Sequence, residues 1–250
     1  MPLIDLTLTS LRVRKLLFAL RHPLSRRALK HGVAASVEHA EALAGGKYQL
    51  IVDVGANKGQ FALFSRLRFP NAQILSFEPL PEPARRFGRL FAADPGVVLH
   101  QSALGEASSW SAIHVTADDD SSSLLEVGER QSEVFGTREV ASQRVEVHRL
   151  DDFLSPQQIV RPALLKIDVQ GYEANVLRGC GELLPLFDDV YVEASYVELY
   201  RDQAAASDVI DLLRGAGFFL RGVFNQFSDE NGVPLQADFL FCRVAGDGSR

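Results

Sequence analysis

The segment from Leu50 to Phe61 constrains the fold of this chain more than any other. It reads LIVDVGANKGQF: an apolar run long enough for a buried strand, a turn with two glycines, and the start of a helix. Such a turn directs helix N–H groups and the positive end of the helix dipole at whatever it holds. The sequence therefore predicts a ligand-binding strand–turn–helix unit with Asp53 at the strand end and Gly55, Ala56, Asn57 and Gly59 around the ligand.

A second acid narrows the choice of ligand. Glu78 follows the next predicted strand, Gln73–Phe77, where a nucleotide-binding unit places the acid that binds ribose hydroxyls. Asn57 stands where a dinucleotide fold has its central glycine, so a pyrophosphate would lose its close approach to bare backbone. An adenosine with a zwitterionic amino-acid tail suits this turn better, which indicates S-adenosylmethionine.

Composition limits the classes that remain. The length of 250 residues suits one α/β domain, residues 46–250, behind a helical extension or lid, residues 1–45. The net charge of −6 argues against a nucleic-acid binder. Cys180 and Cys242 form no metal-binding spacing, which is typical of a reducing cytoplasm, and no apolar window is long enough for a membrane span. A peripheral membrane contact through the basic N-terminus and a homodimer both stay open.

Strand and helix patterns alternate from residue 50 to residue 213 and are followed by two strands around the turn dipeptide Asn231-Gly232. This order predicts a mostly parallel, doubly wound sheet that ends in an antiparallel hairpin, with its ligand at the carboxyl ends of the strands. We also expect a helix over residues 33–43. Strands 110–115 and 144–148 are predicted to form a second hairpin or added edge strands, and the residues between them, 117–142, a mobile loop with room for one helical turn.

Three motifs, VDVGANKGQF, FEP and LLKIDVQGYE with VLRG shortly after it, resemble the FkbM family of S-adenosylmethionine-dependent methyltransferases. The resemblance covers residues 50–243. It implies a class I, Rossmann-like fold with a seven-stranded sheet, and O-methylation of hydroxyls on sugars and natural products. It also implies a cofactor site, with the methionine part held by Asp53, Gly55, Ala56, Asn57, Gly59, Phe61 and Asp168, the ribose by Glu78, and the adenine by Pro79, Ser102 and Ala103.

Asp168 is the first catalytic candidate, because it lies at the carboxyl end of the fourth predicted strand, beside the expected methyl group. A carboxylate there can orient an acceptor hydroxyl and take its proton. Capping of the next helix and binding of the cofactor amine are the alternatives. His148 is the second candidate base if its hairpin folds over the pocket, since a neutral imidazole suits proton removal.

The acceptor is expected to be a small molecule or an oligosaccharide, bound by Ser122, Ser123, Glu173, Glu193 and Tyr196. Asp168 and Glu193 are suitable ligands for Mg²⁺, but the Asp-Asp-Asn cluster of metal-dependent O-methyltransferases is missing, so no metal is expected. Two other functions stay open. A nicotinamide-dependent dehydrogenase or epimerase is disfavoured by Asn57, and a non-catalytic S-adenosylmethionine-binding protein is disfavoured by the intact acids.

Overall fold

A computed structural model describes residues 22–243 as two sheets with helices on both faces of the larger one. The larger sheet has seven strands in the order β3-β2-β1-β7-β8-β10-β9, and the smaller has three in the order β4-β6-β5. The strands are β1 Leu50–Val54, β2 Gln73–Phe77, β3 Val97–His100, β4 Ala103–Leu104, β5 Ser109–Thr116, β6 Glu139–His148, β7 Ala163–Ile167, β8 Asp189–Ser195, β9 Phe218–Ser228 and β10 Pro234–Arg243. The helices are α1 Pro23–Lys30, α2 Gln60–Arg68, α3 Pro81–Phe91, α4 Glu129–Phe135, α5 Glu173–Gly179 and α6 Ala206–Gly215.

The central strands are the ones that the apolar runs predict. All residues of β1 and β7 are buried, as expected for parallel strands covered on both faces. The two strands pair in register, Val52 opposite Leu165, and β10 runs antiparallel to both of its neighbours. The chain therefore moves outward from β1 to β3 and returns to β7, which leaves a crevice at the carboxyl ends of β1 and β7. The predicted fold class is confirmed.

Side chains on the two faces of the sheet belong to separate apolar cores. One core joins the sheet to α1, α2 and α3 and includes Phe61 and Phe87. The other joins it to α5 and α6 and includes Val176 and Leu213. Alternation along each strand assigns every residue to one of these faces. Asp53, Lys166 and Tyr191 consequently lie on the α2 face, where they surround the crevice.

The smaller sheet confirms the second hairpin and extends it. The predicted mobile loop at 117–142 is largely wrong, because it contains a 3-10 turn at Asp119–Ser121, helix α4 and the first residues of β6. Buried Gln131 explains part of this order, since its amide donates to Thr137 Oγ1 at 3.1 Å and to Tyr200 Oη at 3.3 Å. Those contacts are tertiary, so local periodicity did not show them.

The helix predicted over residues 33–43 is wrong as well. Only a 3-10 turn, Val37–Ala40, forms there, and Ser36 N–H donates to the Gln60 carbonyl at 3.2 Å. Burial of Val33 and Val37 on the α2 side outweighs helix propensity. Residues 1–21 of the predicted extension lie outside the described residues. Arg27 of α1 donates to the Leu90 carbonyl of α3 at 2.6 Å. Within the described part of the chain, no helix has the length and apolar character that crossing a membrane requires.

A glycine contact joins the smaller sheet to α5. A Cβ added at Gly179 would lie 1.9 Å from the Gly105 carbonyl oxygen, whereas one at exposed Gly88 in α3 would meet nothing within 4 Å. We expect Gly179→Ala to lower the free energy of unfolding by at least about 2 kcal/mol through backbone displacement. Gly88→Ala is the matched control and should raise it by about 0.5–1 kcal/mol. Urea unfolding measures both, and equal changes would contradict the close approach.

Candidate active site

The crevice contains a cavity of about 420 Å³, which both sheets and the segment around residue 39 enclose. Its walls include most of the residues that the sequence predicted for the cofactor and the acceptor. From that prediction the structure brings together Gly55, Ala56, Asn57, Phe61, Glu78, Pro79, Ser102, Ala103, Ser122, Ser123, Asp168 and Glu193.

The turn after β1 requires a glycine at its first position. Gly55 has a φ of +79°, and a Cβ there would lie 1.8 Å from the carbonyl oxygen of Asp168. The turns after β1 and β7 are therefore in backbone contact. Asn57, with a φ of +46°, directs its N–H to Glu78 Oε2 at 2.9 Å, and Leu80 N–H donates to Oε1 at 2.8 Å. Glu78 thus connects the turns after β1 and β2 and borders the cavity.

An ion pair lies beneath the cavity floor. Lys166 Nζ is 3.2 Å from Asp53 Oδ1, donates to the Gly55 carbonyl at 3.1 Å, and is 3.7 Å from Asp168 Oδ2. Burial raises the pKa of Asp53, and the ammonium opposes that rise. Burial also disfavours the charge of Lys166, but Asp53 and Asp168 outweigh it and raise the pKa of Lys166. With three oxygens around one ammonium, we take the pair as ionised.

Gln170 links two carboxyl groups at the cavity wall. It has a φ of +55°, and its Nε2 donates to Asp168 Oδ1 and to Glu193 Oε2, both at 2.9 Å. Its backbone carbonyl accepts from Ser123 Oγ at 2.6 Å. Burial, then the charges of Asp168 and Asp238, raise the pKa of Glu193 well above its usual value. Glu193 is therefore the carboxyl that favours the neutral form.

A second polar cluster borders the same cavity, and the sequence analysis missed it. Tyr191 Oη donates to Asp238 Oδ2 at 2.7 Å, Asn225 Nδ2 donates to the same oxygen at 2.7 Å, and His39 Nδ1 is 3.0 Å from Tyr191 Oη. Gln170 was missed too. The one sequence signal for Asp238 is that an acid stands inside the apolar run ADFLFC. His39 gave no signal of its own because its segment was predicted to be a helix.

Two of the residues predicted to bind the cofactor, Asp53 and Gly59, do not border the cavity. Asp53 is fully buried and reaches the site only through Lys166. Gly59, with a φ of +93°, begins α2, and a Cβ there would lie 2.9 Å from the rings of Phe87 and Phe91. Its role in the structure is helix packing, and it does not border the cavity.

Three predicted residues lie elsewhere. His148 is on β6, with Nδ1 3.3 Å from Asp152 and Nε2 3.4 Å from Glu146, and it does not border the cavity. Tyr196 is exposed on the α5–α6 face of the sheet and donates to Gln226 at 3.4 Å.

Glu173 is the third. Its Oε1 accepts N–H groups from Val169 at 3.2 Å and Gly171 at 3.0 Å, so it caps the turn before α5 and does not face an acceptor. Burial raises its pKa to about 7. Among residues 22–243, no group of three or more histidine, cysteine or acidic side chains is arranged to hold a metal ion.

The pKa of Glu173 predicts a dependence of stability on pH. Because the pKa in the folded protein, about 7, exceeds the ordinary value of 4.5, its contribution is complete below pH 4.5 and is lost as pH rises through 7. We expect Glu173→Gln, which keeps an acceptor oxygen and removes the charge, to gain stability over wild type above that pH, on the order of 3 kcal/mol. Urea unfolding across this range measures the difference. Exposed Glu182→Gln is the control, and a Glu173→Gln profile parallel to wild type would contradict the assignment.

Comparison with known proteins identifies the family. Residues 53–220 match the model of the methyltransferase FkbM domain. The chain is 34% identical over 157 residues to "Methyltransferase 1" of Beauveria bassiana, covering 57% of this chain and 63% of that protein. It is 29% identical over 210 residues to "2-O-methyltransferase NoeI" of Sinorhizobium fredii, covering 81% and 83%.

A third relative is "31-O-demethyl-FK506 methyltransferase FkbM" of Streptomyces tacrolimicus, 28% identical over 200 residues, with 68% of this chain and 72% of that protein covered. The matched region of the Beauveria protein is less than two thirds of its length. The domain match begins at Asp53, near the end of β1, and includes the turns that carry Gly55, Glu78 and Gln170, so these cavity-bordering motifs lie within the family model. The chain belongs to the FkbM family of methyltransferases.

Proposed function

We propose that the chain transfers a methyl group from S-adenosylmethionine to a hydroxyl of a sugar or a glycosylated natural product. One observation carries the proposal: a single cavity contains Glu78 at the end of β2 and Asp168 at the end of β7. The first suits a ribose, and the second lies where an acceptor must approach. The printed names of two relatives, a 2-O-methyltransferase and a 31-O-demethyl-FK506 methyltransferase, support oxygen as the acceptor atom.

The donor groups of the cavity suit this cofactor. Both oxygens of Glu78 accept a backbone N–H, and a carboxylate oxygen can accept more than one hydrogen bond, so the group also suits a ribose hydroxyl. The turn after β1 borders the cavity where the methionine part would lie, and Pro79, Ser102 and Ala103 provide a surface for the adenine. The carboxylate of Asp168 attracts the cationic sulfur of the cofactor.

S-adenosylmethionine, when bound, supplies a methyl carbon that takes an electron pair from the acceptor oxygen while the carbon–sulfur bond breaks and leaves its electrons on sulfur. The chain's contribution is to hold the acceptor oxygen in line with that bond, about 3–3.5 Å from the carbon. Asp168 suits this orienting role because Gln170 and Lys166 fix its carboxylate from two sides. The sequence assigns both orientation and proton removal to Asp168, and these contacts support the first.

The acceptor side favours a neutral, hydroxyl-rich molecule. Ser122, Ser123 and Gln170 border it with hydrogen-bonding groups, and the nearby carboxyl groups repel an anionic acceptor. A small molecule or an oligosaccharide end meets both conditions. Cys180 and Cys242 are both unpaired, which supports a cytoplasmic setting for the reaction.

The experiment for this proposal uses methyl-labelled S-adenosylmethionine. Purified protein is incubated with extracts and with panels of free sugars, glycosides and their aglycones, and labelled products are identified by mass spectrometry. Label on a sugar oxygen supports the proposal, and label on nitrogen, on carbon or only on aglycones contradicts its acceptor class. Transfer that survives EDTA supports a metal-free reaction, whereas transfer that EDTA abolishes and Mg²⁺ restores contradicts it.

Glu78 provides a direct test of cofactor binding. A hydrogen bond to a charged group contributes about 1.5–3 kcal/mol. We expect Glu78→Gln, which keeps one acceptor oxygen, to weaken S-adenosylhomocysteine binding by about tenfold to a hundredfold. Calorimetric titration measures the affinity, with Glu82→Gln as control because Glu82 is an exposed acid of α3 paired with Arg85 and Arg86. Equal affinities of the folded variants would remove Glu78 from the site.

Substitution of Asp168 by asparagine tests its role in orienting the acceptor. Asp168→Asn keeps an oxygen for Gln170 but loses the charge that orients the hydroxyl, so kcat should fall about tenfold to a hundredfold while S-adenosylhomocysteine affinity changes little. Asp211→Asn, an exposed acid of α6 beside Arg214, is the matched control. A loss confined to cofactor affinity would make Asp168 a cofactor ligand.

A further inference from the structure

The cluster of His39, Tyr191, Asp238 and Asn225 is not used by the function described above. His39, Asn225 and Asp238 border the same cavity as Asp168 and Glu193. Strand register explains the proximity, because Asp238 of β10 lies opposite Glu193 of β8, and Tyr191 of β8 lies beside Lys166 of β7. Alternation puts these side chains on the α2 face, under the segment that carries His39.

Hydrogen-bond donors and acceptors determine which nitrogen of His39 carries the proton. The single proton of Tyr191 Oη goes to Asp238 Oδ2 at 2.7 Å, because a carboxylate only accepts. Tyr191 Oη is then an acceptor for His39 Nδ1, 3.0 Å away, and Asp238 Oδ2 lies 3.5 Å from the same nitrogen. Nδ1 therefore holds the hydrogen, and Nε2 of the neutral ring has a free lone pair.

Asp238 is equipped to stabilise a positive charge on that ring. Burial opposes its ionisation, but hydrogen bonds from His39, Asn225 and Tyr191 lower its pKa below the usual value. The carboxylate consequently stays charged beside Nδ1. An imidazolium formed by proton uptake at Nε2 would be stabilised by it, as in other carboxylate–histidine pairs.

Asp168 is less suited to receive the proton. Its carboxylate accepts from Gln170 Nε2 and lies 3.7 Å from the Lys166 ammonium, so both oxygens already face positive or donating groups. Orientation and proton removal thus suit different residues.

We propose that His39 Nε2 receives the proton of the acceptor hydroxyl during methyl transfer, and that Tyr191 and Asp238 are the positioning residues that present this nitrogen to the cavity. The proposal rests on the proposed function. The O–H proton passes to Nε2 as the oxygen gives its electron pair to the methyl carbon, and the imidazolium later releases that proton to solvent. Acidic groups near the ring are Asp238, which is 3.5 Å from Nδ1, Asp53 below, Glu38 beside it in the chain, and Glu193, which also borders the cavity.

The first experiment needs no acceptor. Protein labelled with nitrogen-15 histidine is studied by long-range proton–nitrogen NMR, and His39 among the six histidines is assigned from the signal lost in His39→Gln. We expect a ring with hydrogen on Nδ1 and a bare Nε2, as the hydrogen bonds to Tyr191 and Asp238 require. Tyr191→Phe should reduce that tautomer preference. A ring with hydrogen on Nε2, or one protonated at both nitrogens, would overturn the proposal.

The second experiment separates catalysis from binding, with S-adenosylhomocysteine and the acceptor found by label transfer as probes. We expect His39→Gln to lower kcat by about 10²–10⁴-fold, with cofactor affinity and acceptor KM changed less than about threefold. Asp238→Asn, which removes the charge beside Nδ1 and keeps an acceptor oxygen, should also lower kcat. His148→Gln is the matched control, since His148 also faces a carboxylate, Asp152, but outside the cavity.

The outcomes distinguish this proposal from the function on which it rests. Wild-type protein that transfers no methyl group refutes the proposed function and this proposal together. Active wild type with an equally active His39→Gln refutes the role of His39 alone. A loss seen only in S-adenosylhomocysteine affinity makes His39 a cofactor ligand and also overturns the proposal.

Discussion

The buried ammonium of Lys166 supports the rest of the site. It forms an ion pair with Asp53 at the end of β1, lies 3.7 Å from the carboxylate of Asp168 after β7, and donates to the carbonyl of Gly55. These contacts join the two strands on which the sheet reverses direction. Removing one partner of such a buried pair leaves an uncompensated charge, which typically costs about 3–5 kcal/mol. The turn at Gly55 and the carboxylate of Asp168 therefore both depend on the side chain of Lys166.

Polar side chains are concentrated on one face of an otherwise apolar sheet. Four neighbouring strands each place one polar side chain on this face: Asp53, Lys166, Tyr191 and Asp238. The residues before and after each of them along its strand face the opposite core. Each of the four makes at least one hydrogen bond or ion pair with its neighbours, which limits the cost of burying it. The α5–α6 face is apolar and supports the sheet, and the α2 face contains the chemistry.

Two groups of polar residues border the cavity. The end formed by Glu78 and the turn after β1 suits the ribose of the proposed cofactor. The other end combines Asp168, held by Gln170, with the imidazole of His39, held by Tyr191. Orienting a hydroxyl requires a fixed charge, and removing its proton requires a base near neutral pH. Two residues with different surroundings meet those requirements better than one.

Local sequence determined much of this protein. The apolar runs and glycine turns predicted the parallel strands, the reversal point and the acids at the strand ends, because burial and backbone geometry depend on neighbouring residues in the chain. Tertiary structure decided the rest. His39 reaches the cavity only because packing against α2 replaces the expected helix at 33–43, and Asp238 faces Glu193 only through the register of β10 with β8. His148 lies outside the cavity for the same kind of reason, since the position of the smaller sheet depends on distant contacts that no local pattern records.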